Sequence, residues 1–535
     1  MAARDGLARS GSACAADAGR RLSTDAPSAA RTWLGFLAMC LAMFMAILDI
    51  QVVASSLTTI GHALHVDADQ LSWIQTAYLM AEVIAIPLTG WLTRALSLRW
   101  LFVAATAGFT LASFACALST NIEALIAIRV VQGFFGGMLI PAVFTSVFTH
   151  MPEKHRVLAT TLAGVFAVLA PTVGPTVGGY LTQTFSWHWI FLVNVAPGCI
   201  VVALVALCVR RDGADLSLLR RIDYAGIALT SLFLASLELM LKEAPKHHWQ
   251  GPWVLWLAPA CALTFGLALA RMNTAAEPYL HLRWFKNASF SVGCALSFVL
   301  GAGLYGSVYT LAIFLGLVRE HGALAIGLIM LVSGAAQLLT APVAAVLETR
   351  IAPRLLVAAG YGVFALGLWI NSYSTPQSDY DALFWPQAVR GAAVMFCLLP
   401  ATRIALDIWP KEDVAEASGL FNLMRNLGGA IGIAMIDTIL LQQAPVHASE
   451  IVARLEAHDV SAARELGLPM QAFLNHDGPI TAMERMFVQP LLEKAALAHA
   501  FNDAWRALAV TVGASLVLLA FVRKPAVTRG TPAPH

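Results

Sequence analysis

Charge is what this sequence has little of. Of its 535 residues only 12% are Asp, Glu, Lys or Arg, about half the share found in a soluble domain. With 58% hydrophobic residues and a mean hydropathy of +0.71, too few polar side chains exist to clothe a water-facing surface. The same balance excludes disordered, collagenous and coiled-coil chains. Paired cysteines are missing as well. The eight cysteines form no CxxC, and all but Cys14 lie in apolar stretches. That excludes a disulfide scaffold or zinc site and reads them as small buried hydrophobes. No Lys follows a Gly, so the phosphate loop of a nucleotide-driven pump is absent. A polytopic membrane enzyme is left without support, because Gly-x-Ser-x-Gly, His-Glu-x-x-His and Asp-Asp-x-x-Asp do not occur. His62-x-x-His65 with Asp67 and Asp69 falls in a short loop and reads as solvated polarity. A net charge of +2 argues neither for nor against nucleic acid, since a basic face is read from clustering and not from a balanced total; none is expected as a partner.

What the sequence has in abundance is apolar runs long enough to cross a bilayer, about 20 residues each. Fourteen are predicted, at 33–57, 71–91, 100–118, 124–148, 157–183, 189–209, 222–242, 252–270, 288–316, 324–347, 355–371, 382–407, 415–441 and 505–522. The fold class is therefore an all-α membrane protein. With the N-terminus in the cytoplasm, the inner segments hold 22 of the 34 Lys and Arg, and the six short outer loops hold 2 (Lys246 and Arg319). This positive-inside bias puts both termini in the cytoplasm. Arg20-Arg21 resembles a twin-arginine signal, but the run that follows is too long for one and contains Asp49, so it reads as a retained first span.

Basic stretches at 210–221 and 271–287 bracket a helix pair, giving a 6+2+6 organisation. The predicted parts are a disordered tail 1–32, a six-helix bundle 33–209, a linker pair 222–270, a second bundle 288–523 and a tail 524–535. The second bundle includes a long outer segment 442–504, with helical stretches Glu450–Leu466 and Met483–Phe501 around a turn at 475–478. A weak echo of Arg129-Val-Val-Gln132-Gly133 in Gln387-Ala-Val-Arg390-Gly391 suggests a duplication. Two related halves place a binding site between them near the midplane.

A charge inside a span costs about 2.5–3.5 kcal/mol at the helix centre on translocon scales and is functional by default. Asp49, Glu82 and Arg129 are such charges. At about 1.5 Å per residue, Asp49 and Arg129 sit at matching depths near the outer surface, and Glu82 near the midplane. Asp49 and Arg129 read either as a structural ion pair or as part of proton coupling. Glu82 has no cation of its own at its depth, and such a carboxylate can take up and release a proton. We expect Glu82 and Asp49 to carry coupling protons, with Arg129 responding to the charge on Asp49. Arg390 and Arg425 either face the cavity or bind carbonyls. The spaced pairs Arg403/Asp407 and Glu238/Lys242 read as self-satisfied along their helices.

Gly133 follows Arg129-x-x-Gln132 in the fourth span, and the fifth carries Gly174-Pro175-x-x-Gly178-Gly179. Small residues let helices approach closely, and a proline permits bending. In combination these motifs resemble the major facilitator superfamily, the second being the antiporter motif of its drug:proton exporters. Fourteen spans, Leu48-Asp49 before Val52-Val53-Ala54, Arg221-Ile-Asp223 and the long outer segment are similar to its larger drug:proton branch, of the EmrB type. The resemblance departs at the loop after the second span. Gly90-Trp-Leu-Thr-Arg94-Ala-Leu-Ser97-Leu-Arg99 lacks the usual acid, which puts the inner-gate charge pairing in doubt there.

The resemblance implies a proton-coupled antiporter in the bacterial inner membrane, exporting hydrophobic or amphipathic drugs by alternating access. It implies no cofactor beyond the coupling proton. A periplasmic adaptor and an outer-membrane channel are the implied partners, the adaptor docking on 442–504. Gln51, Tyr78, Gln132, Tyr305, Tyr309, Asn422 and Arg425 are the implied cavity-lining residues, each with an ordinary packing role as the alternative. An exporter of one metabolite or siderophore on the same fold is the competing reading.

Overall fold

The computed structural model describes residues 29–66, 68–210, 213–220, 223–275, 278–468 and 482–521. The tail expected at 1–32 lies outside them up to residue 28, and 29–32 already belong to the first helix. The turn at 475–478 and the tail 524–535 also lie outside. Among the described residues there are fourteen helices long and apolar enough to span.

They are α1 (Ala29–Leu64), α2 (Ala68–Leu96), α3 (Leu98–Ala117), α4 (Ile122–His150), α5 (Glu153–Thr184) and α6 (Trp189–Cys208, interrupted at 193–194). The linker helices are α7 (Tyr224–Glu243) and α8 (Pro252–Thr274). The rest are α9 (Ala288–Leu317), α10 (Ala323–Arg350), α11 (Pro353–Asn371), α12 (Tyr380–Leu406), α13 (Val414–Glu456) and α14 (Ala482–Ala514). Odd-numbered helices start at the end of the bundle that carries most Lys and Arg, called the basic end below.

Polar residues at the boundaries start several helices. Asn121 accepts from Ala124 N at the head of α4, and Asn287 from Ser289 N and Phe290 N at the head of α9. Asp223 caps α7 through Gly226 N and also accepts from Arg271 Nε at 2.9 Å, so the start of α7 is tied to the end of α8. Asp379, ahead of α12, accepts from Tyr380 N. The Arg319 guanidinium and then His321 hold its carboxyl well below the usual carboxylate range.

The packing repeats. In the first half α2 lies on α4 and α1 on α5; in the second α10 and α11 lie on α12 and α9 on α13. Gly133 of α4 admits the backbone of α2, where a Cβ would overlap the Tyr78 carbonyl. Gly391 of α12 admits α10 in the same way, at the Ser333 carbonyl. The two glycines are those of the sequence echo. The halves meet through α2 on α13 and α5 on α10, contacts that exchange when the halves are exchanged. The linker pair breaks this symmetry, since α7 packs on α2 and α13 on one side only.

The outer segment divides differently from its sequence-based reading. Helix α13 runs on through Pro445 to Glu456, and the last helix starts at Ala482, so both continue beyond the predicted membrane boundary. The expected helix Glu450–Leu466 breaks at His458, whose φ is 59°, and restarts as a short helix Val460–Glu465. No Gly or Pro marks this break. It lets Ala462, Ala463 and Leu466 fold back onto Ile451, Leu455, Ala495 and Ala496 as a small separate core. Asp459 caps the short helix, held to about 2 by the Ser461 hydroxyl and then by Arg454. Its folded value lies below the ordinary carboxylate value, so this contribution is complete above about pH 4 and is lost as pH falls through about 2. Asp459→Ala is expected to open this element to trypsin at Arg454 and Arg464 at neutral pH. An unchanged digestion pattern would refute the capping role.

Candidate functional site

Asp49 sits at the centre of a buried polar cluster drawn from five helices. Its carboxylate pairs with Arg129 of α4, both side chains being fully buried. Its Oδ1 also accepts from Gln132 Nε2 at 3.1 Å and from Asn194 Nδ2 at 2.8 Å. Gln132 Nε2 donates further to Ser113 Oγ of α3, and Gln132 Oε1 accepts from Arg129 Nη1. Arg129 Nε donates to the Ile74 carbonyl of α2, and its guanidinium lies 4.1 Å from the ring of Tyr78. Tyr78 in turn donates to the Ala46 carbonyl of α1. Gln132 and Tyr78 are therefore placed within this cluster, with no exposed surface.

Asn194 gave no signal in the sequence. It occupies the interruption of α6, a neutral residue whose donor completes a carboxylate on α1, 145 positions away. Such a residue becomes visible only when the break in its helix is known.

Glu82 is arranged differently. It is buried on α2, and among the described residues no hydrogen bond or ion pair meets its carboxyl. Across the junction stands Arg425 of α13, also buried and without a carboxylate partner among the described residues. Its Nη2 donates to Asn422 Oδ1 at 2.8 Å, and its guanidinium lies 5.4 Å from the rings of both Phe144 and Phe421. The charges of Glu82 and Arg425 both act on the half-buried Tyr305 of α9. Tyr309, one turn along, donates to Asp437 Oδ1 of α13 at 2.7 Å. Glu82 and Arg425 thus both face Tyr305 where the halves meet, and Arg425 holds Asn422. Arg390 is elsewhere, buried within the second half with Ser307 as its hydrogen-bond acceptor.

The glycine-proline motif of α5 faces two ways. Gly174 admits the side chain of Gln51 and Gly178 admits Ser55 and Val52, both from α1. Gly179 admits Ala323 and Leu324 of α10. Pro171 and Pro175 both lie inside α5 and each removes a ladder donor. One helix thereby forms the seam between halves, with Gln51 packed against it.

At the basic end the halves are latched by charge. Glu416, buried in the first turn of α13, accepts from the backbone N and Nδ1 of His281 at 2.7 and 2.8 Å and pairs with Arg94 at 3.4 Å. Arg156 of α5 pairs with Asp407 at 3.2 Å, and Asp407 keeps the expected neighbour Arg403 at 3.8 Å. Ser418 donates to the Pro141 carbonyl across the same seam. The acid missing from the loop after α2 is supplied by the opposite half, a pairing that sequence reading missed. Glu416→Gln is expected to raise several-fold the rate at which a cysteine placed at Thr93 reacts with a maleimide. Unchanged labelling would show that the latch does not hold this end shut.

Comparison with known proteins agrees with this architecture. The profile described as Major Facilitator Superfamily matches residues 39–433. The chain belongs to the major facilitator superfamily. It is a membrane transporter by descent, in a superfamily of transporters and not of enzymes. It is 36% identical over 491 residues to the colistin resistance protein EmrB of Acinetobacter baumannii, covering 92% of this chain and 96% of that protein. It is 30% identical over 431 residues to the multidrug export protein EmrB of Escherichia coli K12, covering 80% and 83%. In fold it matches the human organic anion transporter MFSD10 (TETRAN), with a TM-score of 0.58 at 13% identity, covering 92% of this chain and all of that one.

Proposed function

We propose that this superfamily member is a proton-coupled antiporter exporting hydrophobic or amphipathic drugs across the bacterial inner membrane, its basic end in the cytoplasm. The observation that carries this reading is Glu82, a buried carboxylate with no hydrogen bond or ion pair among the described residues, where the halves meet. Leaving a charge so unsatisfied is costly, and a protonation cycle gives it a use. Asp49 is held by Arg129, Gln132 and Asn194, so any proton it takes must first displace Arg129. In this scheme Glu82 takes the driving proton and the Asp49–Arg129 pair responds to it. Arg425, with the rings of Phe144 and Phe421 beside it and Tyr305 facing it, offers a cation among aromatic rings, suited to an amphipathic substrate. The multidrug and colistin-resistance relatives support a drug as cargo.

The decisive experiment is a susceptibility panel in an efflux-deficient host, paired with proteoliposomes in which a pH gradient is imposed. Protection that depends on the gradient is expected. Uptake into inverted vesicles that ignores the gradient would remove proton coupling from the reading.

We further propose that the small outer core formed by α13, α14 and the short helix docks a periplasmic adaptor, linking the pump to an outer-membrane channel. Its own hydrophobic core and its exposed Glu450 and Glu456 make it a separable surface. Cysteines at those two positions should crosslink to a co-expressed adaptor. Absence of crosslinks from both, with transport intact, would count against docking here.

A further inference from the structure

The linker pair breaks the symmetry of the two halves, and its first helix carries an acid into the membrane. Helices α7 and α2 run antiparallel and pack together. Near their shared end away from the basic side, Lys242 Nζ lies 4.2 Å from the ring of Trp73 and 3.9 Å from Glu243 Oε1. Glu238 is one turn further in. Its spacing predicts an ion pair with Lys242 along the helix; among the described residues Lys242 instead meets Trp73 and Glu243, while its charge still acts on Glu238. Glu238 is half-buried, and among the described residues no hydrogen bond or ion pair meets its carboxyl.

Glu238 does interact electrostatically. The charges acting on Glu82 are, in decreasing order, those of Glu238, Arg129 and Asp49. On the rise of about 1.5 Å per residue, Glu82 lies about 13 Å inward of Trp73 and Glu238 about 6 Å inward of Lys242. Glu238 therefore sits between the outer rim and Glu82, along the α2–α7 seam. The groups facing Glu82 are Asp49 of α1, Tyr78 of α2, Arg129 of α4, Glu238 of α7 and Tyr305 of α9. Those facing Glu238 are Lys242 of its own helix and Glu82. Asp437 of α13, the other helix that packs on α7, is engaged by Tyr309 and feels Lys246. Two acids thus lie along one seam, with Lys242 acting on the outer one and Arg129 on the inner one. Acids coupled in this way titrate as a pair.

We propose that Glu238 is the outer proton-loading residue of the pump, a positioning residue that acts through Glu82. A proton from outer water binds the Glu238 carboxylate. It then passes through water to the Glu82 carboxylate, leaving Glu238 ionised and ready to reload. Glu82 gives up the proton at the basic end after the halves rock. The two added helices thereby serve coupling directly. This inference rests on the proton-antiport reading.

The test uses the full-length protein in liposomes, with the proton as the probe. Infrared difference spectra report protonated carboxyl groups, and a jump in outer pH gives the rate of Glu82 protonation. Glu82→Gln is expected to remove one titrating carboxyl band. Glu238→Gln is expected to remove a second, shift the titration of the Glu82 band and slow its protonation about 100-fold, the scale of a lost positioned proton donor. If Glu82→Gln removes no band, the antiport reading falls and the relay with it. If Glu82 titrates but Glu238→Gln changes neither its titration nor its rate, the relay alone is overturned. Should Glu238→Gln fail to fold, Glu238→Asp gives the same comparison. Its shorter reach must slow protonation of Glu82, and an unaltered rate would also overturn the relay.

Discussion

Glu82→Gln is expected to abolish drug efflux driven by a pH gradient while leaving the protein folded and able to bind its substrate. The substitution keeps the shape of the side chain and removes only its ability to ionise. Among the described residues no hydrogen bond or ion pair meets the Glu82 carboxyl, so the amide deprives none of them of a partner, and any structural cost is small. The effect on coupled turnover should be at least about 100-fold, since a positioned proton carrier contributes on that scale. Passive exchange of substrate across proteoliposomes, measured without a gradient, should persist. That split separates coupling from cavity damage. Gradient-driven efflux in Glu82→Gln at the wild-type rate would remove this residue from the mechanism.

Arg129→Gln has the larger structural effect. Asp49 loses its one counter-charge and keeps only the Gln132 and Asn194 donors, in a cluster with no exposed surface. Breaking a buried pair by removing one partner costs about 3–5 kcal/mol, because the remaining charge is uncompensated. The double variant Asp49→Asn with Arg129→Gln should recover much of that loss, since neither residue then carries charge. Thermal unfolding of the purified protein, read as a double-mutant cycle, gives the interaction energy directly. Additive losses would mean that Asp49 and Arg129 do not act as a pair. Transport by the double variant shows whether the pair serves stability alone.

Much of this was legible in the residues. Asp49 and Arg129 were matched by depth before any contact was known, because helical rise converts position into height. The glycine-proline motif marked α5, although only packing revealed that it faces α1 and α10 at once. Asn194 was hidden because neutral side chains are common in spans and carry no signal until a carboxylate is seen to need them. Glu416 and His281, 135 positions apart, were hidden for a different reason. Each lies at a helix end where charge is ordinary, and only the meeting of α2 with α13, which brings Arg94 to Glu416, makes this site a latch.

The sequence alone determined that the chain spans a membrane fourteen times with a basic end, and which few charges are buried within it. Those follow from hydropathy, helical rise and charge counting, which are properties of single segments. Only the tertiary structure decided which charges are neutralised and which are left bare. Among the described residues Asp49 gathers three hydrogen-bond partners and the Glu82 and Glu238 carboxyls none, while the charge of Glu238 acts on Glu82 across a helix seam. Satisfaction of a buried charge depends on side chains brought from distant helices, and no single segment contains that information.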